Sequence, residues 1–140
     1  MRYVLGFLFD ESRRSVLLIQ KARPEQQRGL LNGVGGKIEP GETASQAMTR
    51  EFAEEIGGPS VEWYQVAVLD HPESRIAIFV ATTADLTDYL TGSWREEPAV
   101  VLPVLACVDN SVVVSSCRWL IPMCADPRVE YATFRRRRGD

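Results

Sequence analysis

The sequence predicts a single domain of mixed α and β structure, rich in strands and carrying two main helices. Three observations lead there. Apolar runs of strand length recur at residues 2–9, 15–21, 61–69, 75–82 and 99–106, separated by polar or proline-containing turns. Between and after them, residues 44–56 carry apolar side chains at every fourth position, and residues 112–124 hold the apolar group Trp119-Leu-Ile-Pro-Met123 expected in a C-terminal helix. The chain has 140 residues, 45% hydrophobic and 25% charged, which suits one soluble domain with room for a core. This pattern alone fits α/β and α+β equally well.

Along the chain, residues 2–9 and 15–21 flank the polar turn Asp10-Glu-Ser-Arg-Arg14 and read as an antiparallel hairpin. Residues 24–31 form a loop, and Asn32-Gly-Val-Gly-Gly-Lys37 offers backbone that a ligand could approach closely. Thr43-Ala-Ser-Gln46 reads as a capping box, placing a helix start just after Glu42. Gly57-Gly58-Pro59 ends that helix after Glu55. Strands follow at 61–69 and 75–82 around the turn His71-Pro-Glu-Ser74, then a helical turn near Asp85–Leu90 and an acidic corner at Trp94–Pro98. Residues 1–134 form the domain, and the basic run opened by Arg135 is expected to be a disordered tail, 135–140.

The central helix carries the chemistry. Ala44, Met48, Phe52 and Ile56 make an apolar ridge, while Glu51, Glu54 and Glu55 share a neighbouring face. Like charges so placed weaken a helix by a few tenths of a kcal/mol per pair. They read either as a solvated acidic face or as a set of hard oxygen ligands suited to Mg²⁺ or Mn²⁺.

Gly36, five residues, Glu42, seven residues, then Arg50-Glu51-Phe52-x-Glu54-Glu55-x-Gly57 resembles the Nudix box, the signature of hydrolases of nucleoside diphosphates linked to another group. All its fixed positions are met; the last, usually aliphatic, is Gly58. The resemblance implies an α/β/α sandwich, with a mixed, curved sheet between the box helix and a C-terminal helix. It implies Mg²⁺, with Mn²⁺ as substitute, held by Glu51, Glu54, Glu55 and the Gly35 carbonyl, with Glu51 as ligand or proton acceptor. Arg50 would orient a glutamate. A further carboxylate is expected from Glu96 or Glu97, with Glu97 taken as the ligand. Phosphate would meet Lys21, Arg23 and Lys37. Residues 32–37 also resemble a segment of MutT-type oxidised-purine triphosphatases, which implies that Asn32 reads the base; as residues alone, Asn32-Gly33 is simply a turn. The neighbourhood Val114-Ser-Ser-Cys117 departs from the human-type enzyme, which has paired aspartates there.

The activity expected is Mg²⁺-dependent cleavage of a nucleoside triphosphate, with an oxidised purine as one form, to monophosphate and pyrophosphate. The alternatives are an ADP-ribose, nucleotide-sugar or dinucleotide pyrophosphatase, or a non-catalytic nucleotide sensor. Sensors usually lose a box acid; here Glu42, Glu51, Glu54 and Glu55 are all present. A net charge of −3 gives no global electrostatic case for nucleic acid or membrane. The apolar N-terminus is too short to span a bilayer, and Cys107, Cys117 and Cys124 are an odd set without a metal-type spacing, expected as reduced thiols of a cytoplasmic protein. A nucleotide is the one expected partner, and the pattern fits monomer and homodimer alike. His71 and Trp119 are expected to be structural, Trp119 in the core.

Overall fold

The computed structural model describes residues 1–91 and 96–135. The described strands are β1 (Arg2–Asp10), β2 (Ser15–Gln20), β3 (Leu31–Asn32), β4 (Val34–Lys37), β5 (Tyr64–His71), β6 (Ser74–Thr83), β7 (Ala99–Pro103) and β8 (Ala132–Arg135). The helices are α1 (Ala44–Glu55) and α2 (Cys117–Ala125). One mixed sheet runs in the order β3-β2-β1-β6-β5-β8, with β4 paired to β1 and β7 to β2. The β1–β6 and β5–β8 pairs are parallel and the others antiparallel. No helix among the described residues is long and apolar enough to cross a membrane.

The alternation of β1 explains the three layers. Leu5, Phe7 and Phe9 point to one face and pack with α2 through Leu120, Ile121 and Cys124. Val4 and Leu8 point to the other and pack with α1 through Met48, Phe52 and Ile56. A strand buried on both faces reads as a near-continuous apolar run, which residues 3–9 are. The sandwich implied by the box is the fold found.

One irregularity positions the site. β1 and β2 pair only at Leu8↔Leu17 and Phe9↔Val16, next to their turn. Beyond it they splay, and residues 31–37 wedge into the fork: Asn32 pairs with Ile19 of β2, Val34 with Gly6 of β1. Gly33 sits at the crotch, where a Cβ would lie 2.7 Å from the Gly6 carbonyl oxygen. The expected hairpin is thus real but short, and Asn32 ends an inserted strand, with Gly33 joining it to β4.

Several boundaries differ from expectation. The strand expected from residue 61 begins at Tyr64, because Trp63 turns inward and meets the Phe52 ring edge-on at 5.4 Å. The strand expected through residue 106 stops at Pro103, which lacks an N–H for the ladder, and residues 104–106 form a 3₁₀ turn. Arg135 belongs to β8, paired with Asp70 of β5, rather than to a tail; Arg136–Asp140 lie outside the described residues. So do Trp94 and Arg95 of the acidic corner. Trp119 is 42% exposed and packs edge-on to Phe134 at 5.3 Å, because α2 turns Leu120 and Ile121 inward instead. All three cysteines are free and buried.

Candidate active site

Helix α1 starts where its capping box puts it. Thr43 Oγ1 accepts from the Gln46 N–H at 3.1 Å and Gln46 Oε1 from the Thr43 N–H at 2.9 Å. Its acids stand at the opposite end: the first turn has none and the last turn holds no base. The helix dipole is negative there, so Glu51, Glu54 and Glu55 are set against both one another and the backbone. Such an arrangement needs compensating positive charge.

Arg50 supplies part of it. Its Nε and Nη2 donate to Glu42 Oε2 and Oε1 at 2.7 and 2.8 Å, and Nη2 also donates to the Lys37 carbonyl at 3.1 Å. Nη1 donates to Glu51 Oε1 at 3.0 Å and to Glu54 Oε2 at 3.3 Å. Glu42, held by Arg50, has its carboxyl pulled down to about 2. The sequence marks Glu42 as part of the box without showing that it is Arg50's main partner. Glu51 in turn lies against the Gly36 backbone, where any Cβ would run into its carboxylate.

Glu55 is the unsatisfied member. Its Oε2 is buried with no hydrogen-bond partner. Burial and the hydrogen-bonded Glu51 beside it push its carboxyl well above the usual range; Lys21 opposes this, and Glu97 adds to it. Glu97 thus approaches Glu55 from the β2–β7 side. Its Oε2 accepts from the Ala22 N–H at 2.7 Å and its Oε1 from Lys21 Nζ at 3.3 Å. Glu96 turns instead to Arg23, at 3.3 Å, and both side chains are exposed.

The expected residues therefore fall into three groups. Glu51, Glu55, Glu97 and Lys21 interact, with Gly35 and Gly36 on the adjoining strand. Glu54 stands beside them through Arg50, its side chain 60% exposed. Arg23 and Lys37 lie exposed outside, and Asn32 faces α2. Among the described residues no group of three or more acidic, histidine or cysteine side chains is placed so that it could hold a metal ion. Arg50 and Lys21 lie between the carboxylates instead. The donor set nevertheless fits a hard divalent cation, since it is all oxygen and includes a buried carboxylate oxygen without a partner. His71 sits at the end of β5, its Nδ1 accepting from the Glu73 N–H at 3.3 Å.

Sequence reasoning missed two contacts: Cys117 Sγ to Asn32 Oδ1 at 3.1 Å and Asn32 Nδ2 to Gln27 Oε1 at 3.3 Å. The first joins residues 85 apart and leaves no local signal.

A family model described as the NUDIX domain matches residues 1–120. A putative 8-oxo-dGTP diphosphatase 2 of Mycobacterium tuberculosis is 39% identical over 69 residues, covering 49% of this chain and 47% of that protein. A CTP pyrophosphohydrolase of Escherichia coli is 45% identical over 42 residues, covering 30% and 31%. The chain thus spans less than half the length of these two curated relatives. In structure, a MutT protein from Bacillus halodurans superposes with a TM-score of 0.68 at 20% identity, covering 96% of this chain and 88% of that one. At that identity the likeness is one of fold.

Proposed function

Since the chain belongs to the Nudix family, we propose that it hydrolyses the phosphoanhydride of a nucleotide with the help of a divalent cation, its substrate a nucleoside triphosphate cleaved to monophosphate and pyrophosphate. One observation carries the reading: the partnerless, buried Glu55 Oε2, pressed between Glu51 and the Lys21–Glu97 pair at the rim of the glycine strand. A buried acid left so, at the wrong end of a helix dipole, destabilises the fold and is understood as a ligand.

Glu51, Glu54, Glu55, Glu97 and the Gly35 carbonyl would hold Mg²⁺, or Mn²⁺ in its place. Such an ion, when bound, neutralises phosphate oxygens and acidifies a coordinated water. The remaining work falls to the chain. Glu51 accepts the proton of the attacking water, being the acid that both Arg50 and Gly36 fix in position. Arg50 ties Glu42, Glu51 and Glu54 together and so holds the loop onto the helix. Lys21 and Lys37, with Arg23 farther out, balance the charge of the phosphates. Asn32 meets the base.

The two curated relatives are named for different bases but both for nucleoside triphosphates, and that shared part supports the substrate class proposed. The test is phosphate release, after coupling to pyrophosphatase, from a panel with Mg²⁺ and with EDTA. Ordinary and 8-oxo triphosphates, ADP-ribose, nucleotide sugars and dinucleoside polyphosphates form the panel, with phosphatase added where the products are monophosphates. Metal-dependent cleavage of triphosphates is expected. Cleavage confined to ADP-ribose or a sugar nucleotide would replace the substrate proposed here. Binding without cleavage of any member would make the protein a sensor.

A further inference from the structure

Asn32 is fixed by two donors on one side. The Gly33 N–H donates to Asn32 Oδ1 at 2.8 Å, and a backbone N–H can only donate, so the oxygen end of the carboxamide is settled. Cys117, the first residue of α2 and fully buried, brings its Sγ to 3.1 Å from the same oxygen. Burial pushes that thiol up to about 12, so it keeps its proton, and Oδ1 is the acceptor it meets.

The segment that carries Cys117 is itself tied down. Leu31 N–H donates to the Val112 carbonyl at 2.7 Å, Val114 N–H to the Leu31 carbonyl at 2.9 Å, and Arg118 Nε to the Val113 carbonyl at 3.0 Å. With its oxygen held by Gly33 and Cys117, Asn32 turns its NH₂ away from both, toward Gln27. One N–H points to Gln27 Oε1 at 3.3 Å; the other has no hydrogen-bond partner among the described residues. Asn32 lies three residues from Gly35 along the strand, roughly 10 Å at most. That reach suits a base at one end with its phosphates at the carboxylates.

We propose that Cys117 is a positioning residue for base recognition: its S–H holds the Asn32 carboxamide with the NH₂ turned away from the thiol, so the site selects bases that offer a carbonyl acceptor over bases that offer an amino group. This rests on the nucleotide reading above and adds a selection rule to it. The rule covers a class of base edge, and it predicts a preference between two nucleotides that differ chiefly at one ring substituent.

Inosine and adenosine triphosphates provide that pair, with a carbonyl or an amino group at the same ring carbon. Wild type is expected to show the lower KM for the inosine form. Cys117→Ser, which keeps a donor, retains the preference. Cys117→Ala raises KM for the inosine form by about three- to tenfold at unchanged kcat, the loss of one hydrogen bond. A wild-type preference for adenosine, or an alanine variant as selective as wild type, would overturn the assignment, as would equal effects of serine and alanine. A second measurement needs neither turnover nor a variant: in ¹⁵N-labelled wild type, inosine monophosphate shifts the Asn32 side-chain NH₂ signals and adenosine monophosphate leaves them in place. Equal shifts, or none with either, would overturn it too. Failure of hydrolysis with the inosine-specific shift intact would count against the activity alone.

Discussion

Arg50 and Glu42 meet side by side, Nε to Oε2 at 2.7 Å and Nη2 to Oε1 at 2.8 Å, so one guanidinium fastens the loop before α1 to the helix. Its remaining nitrogen serves Glu51 and Glu54. Loop position and acid position are thereby one variable. A lysine has a point charge in place of the fork and cannot hold both.

The pair sets an acid limit. Glu42 in the folded chain titrates near 2, below its ordinary 4.5. The unfolded chain therefore takes up the proton first as pH falls, and the stabilisation is whole above about 4.5 and lost on the way down to about 2. Arg50→Lys is expected to move the acid-unfolding midpoint, followed by circular dichroism, to higher pH. Coincident midpoints would show that the fork does not anchor the loop.

Glu55 behaves in the opposite sense. Its folded-state carboxyl is raised above 4.5, so the folded chain keeps a proton that the unfolded chain releases. Stability of the metal-free protein then falls as pH rises from about 4.5 through the raised value. Urea midpoints in EDTA are expected to drop between pH 5 and pH 8 for wild type and to stay level for Glu55→Gln. Mg²⁺ should raise the midpoint of wild type more than that of the variant.

Glu97 and Glu96 are adjacent in sequence and differ in setting. Glu97 acts on Glu55 and is tied to Lys21 and Ala22; Glu96 pairs with Arg23 at the surface. Glu97→Gln is expected to lower kcat by about 10- to 100-fold, the range for losing even an outer partner of a metal ligand. Glu96→Gln should stay within about twofold, as exposed pairs contribute little. The reverse ranking in a steady-state assay would reassign the fifth acid.

Much of this was legible in the sequence where the cause is local. The capping box and the Gly57-Gly58 stop fixed both ends of α1, and the four-residue ridge fixed its buried face through Met48, Phe52 and Ile56. Long-range causes were not legible. The β1–β2 fork depends on a splay that neither strand encodes alone, and β8 is four residues whose only reason to be a strand is the edge of β5. That Glu97 rather than Glu96 lies near Glu55 depends on Lys21 and Ala22, some 75 residues away in the chain.

The fork makes its own prediction. A methyl at Gly33 would press on the Gly6 carbonyl and on the Leu5 and Phe7 side chains, at 2.7 to 2.9 Å, with backbone that cannot step aside. Gly33→Ala is expected to lower stability by about 1–3 kcal/mol, as overpacked cores do. Chemical denaturation measures it, and a variant as stable as wild type would mean that the wedge is looser than described.

The most direct measurement is ³¹P NMR of a nucleoside triphosphate incubated with Mg²⁺ and either wild type or Glu54→Gln. Glu54 is largely exposed, so the variant should keep its fold by circular dichroism. The site described here predicts pyrophosphate and nucleoside monophosphate from wild type, none in EDTA, and turnover cut by at least roughly 10- to 100-fold in the variant. Orthophosphate and diphosphate as products, or full activity in EDTA or in Glu54→Gln, would contradict it.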